Sequence, residues 1–176
     1  VASVKIHYTR QPYMRGLGDA ILCAKDFIDD EPFGVILGDD VVYNGNETPA
    51  LKQLMDQYQK TGATIIGCQI VPKSAVSSYG IVNGVPTKDP NLVHVKDMIE
   101  KPSIEEAPSQ FAALGRYVIT PDIFGILEQT KPGKGGEIQL TDALRVMAHD
   151  GHVYAYNFTG KRYDCLLYTS PSPRDY

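Results

Sequence analysis

Two adjacent carboxylates, Asp39 and Asp40, follow a short apolar run in the stretch FGVILGDDVVYN at residues 33–44. In an open parallel sheet, ligands bind beyond the carboxyl ends of the strands, and a strand over VILG would place both acids at that edge. Carboxylates there can hold a divalent cation, most naturally a Mg²⁺ ion shared with substrate phosphates. The alternative is that one Asp caps a turn while the other faces solvent.

A glycine-rich turn, GLGDA at residues 16–20, leads into a helix. Such a turn lets backbone N–H groups approach an anion or the edge of a base. It lacks the third glycine of the dinucleotide-binding fingerprint, so on its own it is equally consistent with a tight structural turn. Gln11, just upstream, offers an amide that can both donate and accept, as a pyrimidine edge requires.

Two more polar stretches lie near predicted element ends. MIEKP places Glu100 and Lys101 side by side at a strand end. Their side chains point to opposite faces of the sheet unless a bulge or the proline turn re-aims one. A solvated ion pair is the alternative to a role in binding. GEIQLTDA is explained largely by a capped helix, which leaves Glu137 without a structural reason.

The composition is that of a globular α/β domain, with 43% hydrophobic and 22% charged residues. The net charge of −4 argues against a protein that binds nucleic acid through bulk positive potential. No apolar run approaches the roughly 20 residues that span a bilayer, so no membrane partner is predicted. Three scattered cysteines, Cys23, Cys68 and Cys165, predict neither a disulfide framework nor a zinc site, and favour a reducing, cytoplasmic setting.

Apolar periodicity supplies the elements that would position these groups. The predicted strands are SVKIHY (3–8), GVILG (34–38), ATIIGCQIV (63–71), YGIVNGV (79–85), LVHVKDMIEKP (92–102), FAALGRYVIT (111–120) and HVYAYNFTG (152–160). The predicted helices are 16–27, 50–62 ending at Gly62, 120–130, and one near 139–151 capped by Thr141 or Asp142. Alternation of strands and helices predicts one α/β domain with a Rossmann-like, mostly parallel sheet flanked by helices and an antiparallel extension in the later half.

Both ends of the chain depart from this pattern. It opens on VASVKIHYTRQ without an initiator Met, already inside a strand-like alternation, which predicts a fragment. It closes on CLLYTSPSPRDY, which resembles a translated sequencing adapter. We therefore expect residues 1–164 to form a partial domain and residues 165–176 to be an artefactual tail, with Cys165 on either side of the join.

Seven motifs together carry a family resemblance. They are RQPYMRGLGDAILCAKDF, VILGDD, YGIV, MIEKP, LGRYVITPDIF, GGEIQLTDALR and GKRYD. In this order, and over essentially all of residues 3–164, they resemble the bacterial UTP–glucose-1-phosphate uridylyltransferases. The resemblance implies a GT-A-like nucleotidyltransferase fold with a sugar-binding extension. It also implies Mg²⁺-dependent transfer of a uridylyl group from UTP to glucose 1-phosphate with release of pyrophosphate, and a homo-oligomer of the full-length protein.

The resemblance also implies roles for individual residues, matched motif by motif. Asp39 and Asp164 resemble the Mg²⁺ ligands, and Gln11 and Gly16 resemble the residues that read the uracil. Lys101 resembles the catalytic phosphate contact. The sugar side is matched by Gly80 as the backbone contact to a glucose hydroxyl, Glu100 as the sugar-hydroxyl acceptor, Gly115 as part of the sugar-pocket wall and Glu137 as a sugar-proximal residue. Because the phosphate nucleophile is ionised near neutral pH, no general base is required, and positioning with charge neutralisation would suffice.

The chain also departs from the family. The G-x-G-T-R loop and the downstream Lys that open the family pattern are absent, and with them the first strand of the sheet, so we expect the 176-residue chain itself to be inactive. Asp19 stands where the family more often has His, and Met14 and Arg15 replace a usual Pro-Leu. These changes affect the local shape of the predicted base pocket.

Three alternatives stay open at the level of sequence. A sister sugar-1-phosphate nucleotidyltransferase, such as a thymidylyltransferase, would share Gln11, because uracil and thymine present the same edge to it. A non-catalytic regulatory paralogue is disfavoured by the presence of Asp39, Lys101 and Asp164. A GT-A glycosyltransferase is disfavoured by GGEIQLTDALR. Rates of nucleotidyl transfer with UTP and with dTTP would distinguish a uridylyl- from a thymidylyltransferase. The upstream sequence would distinguish the enzyme from a non-catalytic paralogue.

Overall fold

The structure, a computed structural model, describes residues 4–164, apart from the side chain of Lys134. The strands are β1 (Phe33–Ile36), β2 (Asp40–Tyr43), β3 (Thr64–Ile70), β4 (Gly80–Pro86), β5 (Leu92–Glu100), β6 (Phe111–Ile119), β7 (Val153–Asn157) and β8 (Lys161–Asp164). The α-helices are α1 (Leu17–Leu22), α2 (Ala50–Thr61), α3 (Ile123–Leu127) and α4 (Leu140–His149). The predicted artefactual tail, residues 165–176, lies outside the described residues.

A central six-stranded sheet has the order β1-β6-β3-β7-β5-β4, and β2 and β8 form a separate antiparallel pair. The α/β class with flanking helices is confirmed. The sheet is mixed instead of mostly parallel, because β3–β7 is the one parallel pair among the described strands. Strands β1, β3 and β7 do share one direction, but β6 runs the opposite way between β1 and β3. Every residue of β6 from 114 to 119 is buried, as expected of a strand that is covered on both faces of the sheet.

The strand predicted at residues 3–8 does not form among its described residues, 4–8. Alternation alone was its signal, yet Val4 and Ile6 are 76% and 66% exposed, so the alternating face covers no core. A period of two stabilises a strand only where a neighbouring strand and a buried face exist.

No described helix has the length and apolar character needed to cross a membrane.

The helices cover the two faces of the sheet. Helices α1, α3 and α4 pack together on one face, where α4 contacts β5 and β7. Helix α2 covers the other face and contacts β3 and β6 through the fully buried Leu54. This arrangement leaves the start of α4 and the ends of β4 and β5 at one edge of the sheet, and the site described below lies there.

Helix α2 ends at Gly62 as the sequence predicts, in the left-handed conformation with φ 66°. The Gly62 N–H donates to the Tyr58 carbonyl at 2.7 Å, and a Cβ at Gly62 would meet no atom within 4 Å. Gly62→Ala should therefore lower the free energy of unfolding through backbone strain alone, by about 1 kcal/mol in a urea titration. Gly125→Ala is the matched control, because Gly125 also has open space but lies inside α3 at negative φ. An equal loss at both positions would contradict the explanation.

Candidate active site

A cavity of about 330 Å³ lies where the β2–β8 pair faces the ends of β4 and β5 and the first turn of α4. Six of the predicted site residues line it: Asp39, Gly80, Glu100, Lys101, Gly115 and Asp164. Gln11, Gly16 and Glu137 do not line it, although their neighbours Leu17 and Gln139 do. The structure therefore gathers most of the residues that the motifs single out at one edge of the sheet.

The two acids proposed as metal ligands come together through the β2–β8 pair. Asp40 and Asp164 are Cα partners in this ladder, and Asp39 directly precedes Asp40. Asp39 is exposed at the cavity, whereas the side chain of Asp164 is one-fifth exposed. The sequence predicted neither strand of this pair, yet the pair is what brings two residues so distant in the chain to one wall.

Arg162, which the sequence analysis did not single out, links the acids of this wall. Its Nε donates to Asp40 Oδ1 at 2.5 Å, its Nη2 to Asp164 Oδ2 at 2.9 Å, and its Nη1 to the Tyr79 hydroxyl at 2.9 Å. Burial alone would lower the pKa of Arg162, but the hydrogen bonds to Asp40 and Tyr79 raise it above its ordinary value. Alternation along KRYD places Arg162 on the same face as Asp164, and this signal could have found it.

The donor set at this wall fits a hard divalent cation. Four carboxylates (Asp39, Asp40, Glu100, Asp164) and two cationic side chains (Lys101, Arg162) line the cavity. Such a wall repels a polyphosphate unless a cation neutralises it. In residues 4–164 no group of three or more His, Cys, Asp or Glu residues could enclose a metal ion. A Mg²⁺ ion does not need one, because it typically binds one or two carboxylates, water and substrate phosphates.

Lys101 adopts a left-handed backbone conformation with φ 44°, which few non-glycine residues do. Its N–H donates to the Tyr79 carbonyl at 2.9 Å, which holds the turn at the end of β5. This turn re-aims the side chain, so that Glu100 and Lys101 both reach the cavity instead of opposite faces. Lys101 Nζ lies 4.0 Å from Glu100 Oε1. Backbone strain of this kind concentrates at functional sites.

The other oxygen of Glu100 is held by α4. Thr141 Oγ1 donates to Glu100 Oε2 at 2.6 Å, and Gly80 is the Cα partner of Glu100 across the β4–β5 ladder. A Cβ at Gly80 would lie 2.9 Å from Thr141 Oγ1, so glycine leaves room for this contact. Thr141 is therefore not the helix cap that was predicted, and neither is Asp142. The residue at the N-cap is Gln139, which makes no side-chain capping bond.

Gly115 lies at an irregularity of β6 with φ 55°, where a Cβ would come within 3.0 Å of Asp40 Oδ2. The next residue, Arg116, is buried and donates to the carbonyls of Leu37 (3.3 Å) and Asp40. These bonds fix the turn that carries Asp39 into the cavity. No sequence pattern indicated this role for Arg116, because its partners are backbone carbonyls.

The glycine-rich turn packs against the segment before α4. Gly16 has φ 103°, and a Cβ there would lie 2.8 Å from both Glu137 Cβ and the Ile138 carbonyl. The Ile138 N–H donates to the Arg15 carbonyl at 2.7 Å, and the Gly18 N–H donates back to the Ile138 carbonyl at 2.9 Å. This turn and the motif GEIQ therefore form one unit beside the cavity.

Gln11 and Glu137 belong to the same unit. The Gln11 amide donates to the Gly16 carbonyl at 3.2 Å. The side chain of the exposed Glu137 accepts from Gln139 Nε2 at 3.0 Å, and Gln139 lines the cavity. The predicted base-reading and sugar-proximal residues are thus neighbours at the rim, not members of the cavity wall.

Comparison with known proteins places the chain in a family. The family model described as nucleotidyl transferase matches residues 1–164. The UTP–glucose-1-phosphate uridylyltransferase of Pseudomonas aeruginosa (strain PAO1) is 50% identical over 158 residues, which cover 90% of this chain and 56% of that protein. The protein of the same name from Bacillus subtilis (strain 168) is 52% identical over 159 residues, which cover 90% of this chain and 53% of that protein.

Solved structures agree with these relatives. A crystal structure of UDP-glucose pyrophosphorylase complexed with UDP-glucose matches with a TM-score of 0.87 and 48% identity, and the match covers 90% of this chain and 60% of that one. The chain spans about half the length of the curated relatives it matches. With its model matched over residues 1–164, the chain belongs to the nucleotidyl transferase family.

Proposed function

We propose that the full-length product of this gene transfers a uridylyl group from UTP to glucose 1-phosphate, giving UDP-glucose and pyrophosphate. The observation that carries the proposal is the convergence of Asp39, Gly80, Glu100, Lys101 and Asp164 on one cavity. Relatives about 50% identical to this chain are named for this reaction. Because the chain spans about half of those relatives, the activity is proposed for the whole protein.

In the proposed reaction a phosphate oxygen of glucose 1-phosphate attacks the α-phosphorus of UTP. The new P–O bond forms as the bond to the β-phosphate oxygen breaks, and pyrophosphate leaves with that electron pair. The nucleophile is already ionised, so the protein needs to position and neutralise, not to remove a proton. Lys101 is the proposed cationic contact to the phosphate. A Mg²⁺ ion held by Asp39 and Asp164 would neutralise charge developing at the phosphates.

The remaining roles are proposed from the family resemblance, and the position of each residue in or beside the cavity supports them. Glu100 is the proposed acceptor for glucose hydroxyls, and Thr141 holds one of its oxygens in place at 2.6 Å. The backbone at Gly80 and the wall at Gly115 would complete the sugar side. Gln11, with Gly16, is proposed to meet the uracil at the rim.

Glu137 remains a proposed sugar-proximal residue, although the structure has it exposed at the rim beside Gly16. A cytoplasmic location and a homo-oligomer of the full-length protein complete the proposal. The described cysteines, Cys23 and Cys68, are free thiols, in keeping with a reducing compartment.

The direct test supplies the full-length product with UTP, glucose 1-phosphate and Mg²⁺ and measures UDP-glucose and pyrophosphate together. Equal amounts of both products are expected, and no product without glucose 1-phosphate. A parallel reaction with dTTP separates a uridylyl- from a thymidylyltransferase, because a thymidylyltransferase would have the larger kcat/KM with dTTP. A folded protein that forms no product with either nucleotide would support a regulatory paralogue and end the proposal.

A further inference from the structure

Asp19 is a buried carboxylate beside the proposed base-reading residue. Its side chain lies in the first turn of α1, and the residue is 1% exposed. Asp19 Oδ2 accepts from Gln11 Nε2 at 2.7 Å, and Asp19 Oδ1 accepts from Arg15 Nη2 at 2.6 Å. The two oxygens therefore have different partners, and each partner holds the carboxylate in one orientation.

These contacts fix the orientation of the Gln11 side-chain amide. Its Nε2 faces two acceptors, Asp19 Oδ2 at 2.7 Å and the Gly16 carbonyl at 3.2 Å. An amide nitrogen carries two N–H donors, so both are used within the turn. The opposite orientation would set Gln11 Oε1 against two oxygen acceptors. Gln11 therefore has its carbonyl oxygen left for a ligand, and no described residue donates to that oxygen.

Asp19 can enforce this orientation because it remains ionised. The hydrogen bond from Gln11 lowers the pKa of Asp19, burial raises it, and the hydrogen bond and charge of Arg15 lower it further, so that the net shift is downward. An ionised carboxylate only accepts hydrogen bonds, whereas a protonated acid or an amide could also donate.

We infer that Asp19 is a positioning residue that selects the base, by fixing Gln11 so that its Oε1 accepts the N3–H of an imide-bearing pyrimidine. This inference rests on the proposed function, in which Gln11 meets the base. Uracil and thymine carry a donor at N3, whereas cytosine carries an acceptor there, which would face Gln11 Oε1 without a hydrogen. The arrangement therefore discriminates against CTP but not between UTP and dTTP.

The test measures kcat/KM of the full-length product with UTP, CTP and dTTP. In Asp19→Asn the side-chain oxygen stays with Arg15, which turns the new NH₂ toward Gln11. Gln11 loses its strong acceptor and can rotate its own NH₂ toward the base. We expect the UTP-to-CTP ratio to fall roughly tenfold, mainly through a higher KM for UTP with little change in kcat. The UTP-to-dTTP ratio should stay within about twofold, because the two bases share the N3–H group.

Four further variants separate positioning from a general structural effect. Asp26→Asn changes an exposed acid elsewhere in the same segment and should leave both ratios unchanged. Gln11→Ala should lower the UTP-to-CTP ratio by itself, and adding Asp19→Asn to it should change the ratio no further, because coupled residues are not additive. Asp19→Ser, smaller and able to donate or accept, serves as a second variant if the Asn variant does not fold.

Two results would overturn the inference while leaving the proposed function intact. One is a folded Asp19 variant with an unchanged UTP-to-CTP ratio, and the other is an equal effect of Asp19→Asn with and without Gln11. A wild-type protein without uridylyl transfer would instead defeat the proposed function itself. The two failures are thus distinguishable in one set of assays.

Discussion

Asp39→Asn in the full-length product is expected to reduce kcat for uridylyl transfer by on the order of 10²–10³-fold. Asp39 is exposed at the cavity, and the side-chain partners of Arg162 in the described structure are Asp40, Tyr79 and Asp164. The substitution therefore removes a proposed metal ligand without breaking the ion pairs beneath it. An amide also binds Mg²⁺ more weakly than a carboxylate, so the Mg²⁺ concentration for half-maximal rate should rise.

The measurement is the rate of pyrophosphate release at a series of Mg²⁺ concentrations. Asp150→Asn is the matched control, because this exposed acid lies at the end of α4 and does not line the cavity. Asp164→Asn should act in the same direction as Asp39→Asn, with an added loss of stability because Arg162 loses a partner. An Asp39→Asn protein with normal rate and normal Mg²⁺ dependence would remove Asp39 from the metal site.

Strong local signals account for the part of the fold that the sequence predicted. Helix α2 was predicted over 50–62 and found at Ala50–Thr61, because its apolar face is regular and Gly62 provides a left-handed end. Strand β3, predicted at 63–71, is found at Thr64–Ile70 and is fully buried over its first five residues. In both elements the local pattern and the tertiary environment agree.

The pairing of the strands was harder to predict, because the apolar pattern of a strand does not identify the strands that lie beside it in the sheet. The apolar run of β6 was assigned to the antiparallel extension, yet it lies within the main sheet between β1 and β3. The short strands β2 and β8 were not predicted at all, since four residues carry too little periodicity. Their pairing nevertheless positions Asp39 and Asp164.

In the candidate site, too, local sequence patterns indicated some features, whereas others depend on tertiary structure. Residue types in motifs pointed to Asp39 and Lys101, but the left-handed turn that aims Lys101 into the cavity has no signature in MIEKP. Alternation in KRYD could have identified Arg162. Arg116 could not have been found, because it acts on backbone carbonyls that only the folded chain brings near it.

Arg162→Met is expected to lower the free energy of unfolding by about 3 kcal/mol. The side chains of Arg162 and Asp40 are 16% and 8% exposed, so their charges face little solvent. Removal of the guanidinium leaves Asp40 buried without its 2.5 Å partner and takes a donor from Asp164. Chemical unfolding of the chain at neutral pH, followed by circular dichroism, measures the loss.

The decrease in the free energy of unfolding caused by Arg162→Met should be smaller when the carboxylate charge of Asp40 is also removed. In the double variant Asp40→Asn, Arg162→Met, the more deeply buried of the two carboxylate charges that lose Arg162 is gone, so its stability should exceed that of Arg162→Met alone even though it carries one more substitution. Arg145→Met is the control for losing an Arg, because its ion pair with Asp97 is half-exposed on the Arg side and should contribute about 1 kcal/mol or less. If Arg162→Met costs no more than Arg145→Met, burial of the Arg162–Asp40 pair does not stabilise this wall, and the position of Asp39 and Asp164 must depend on the Arg116 contacts and the β2–β8 ladder alone.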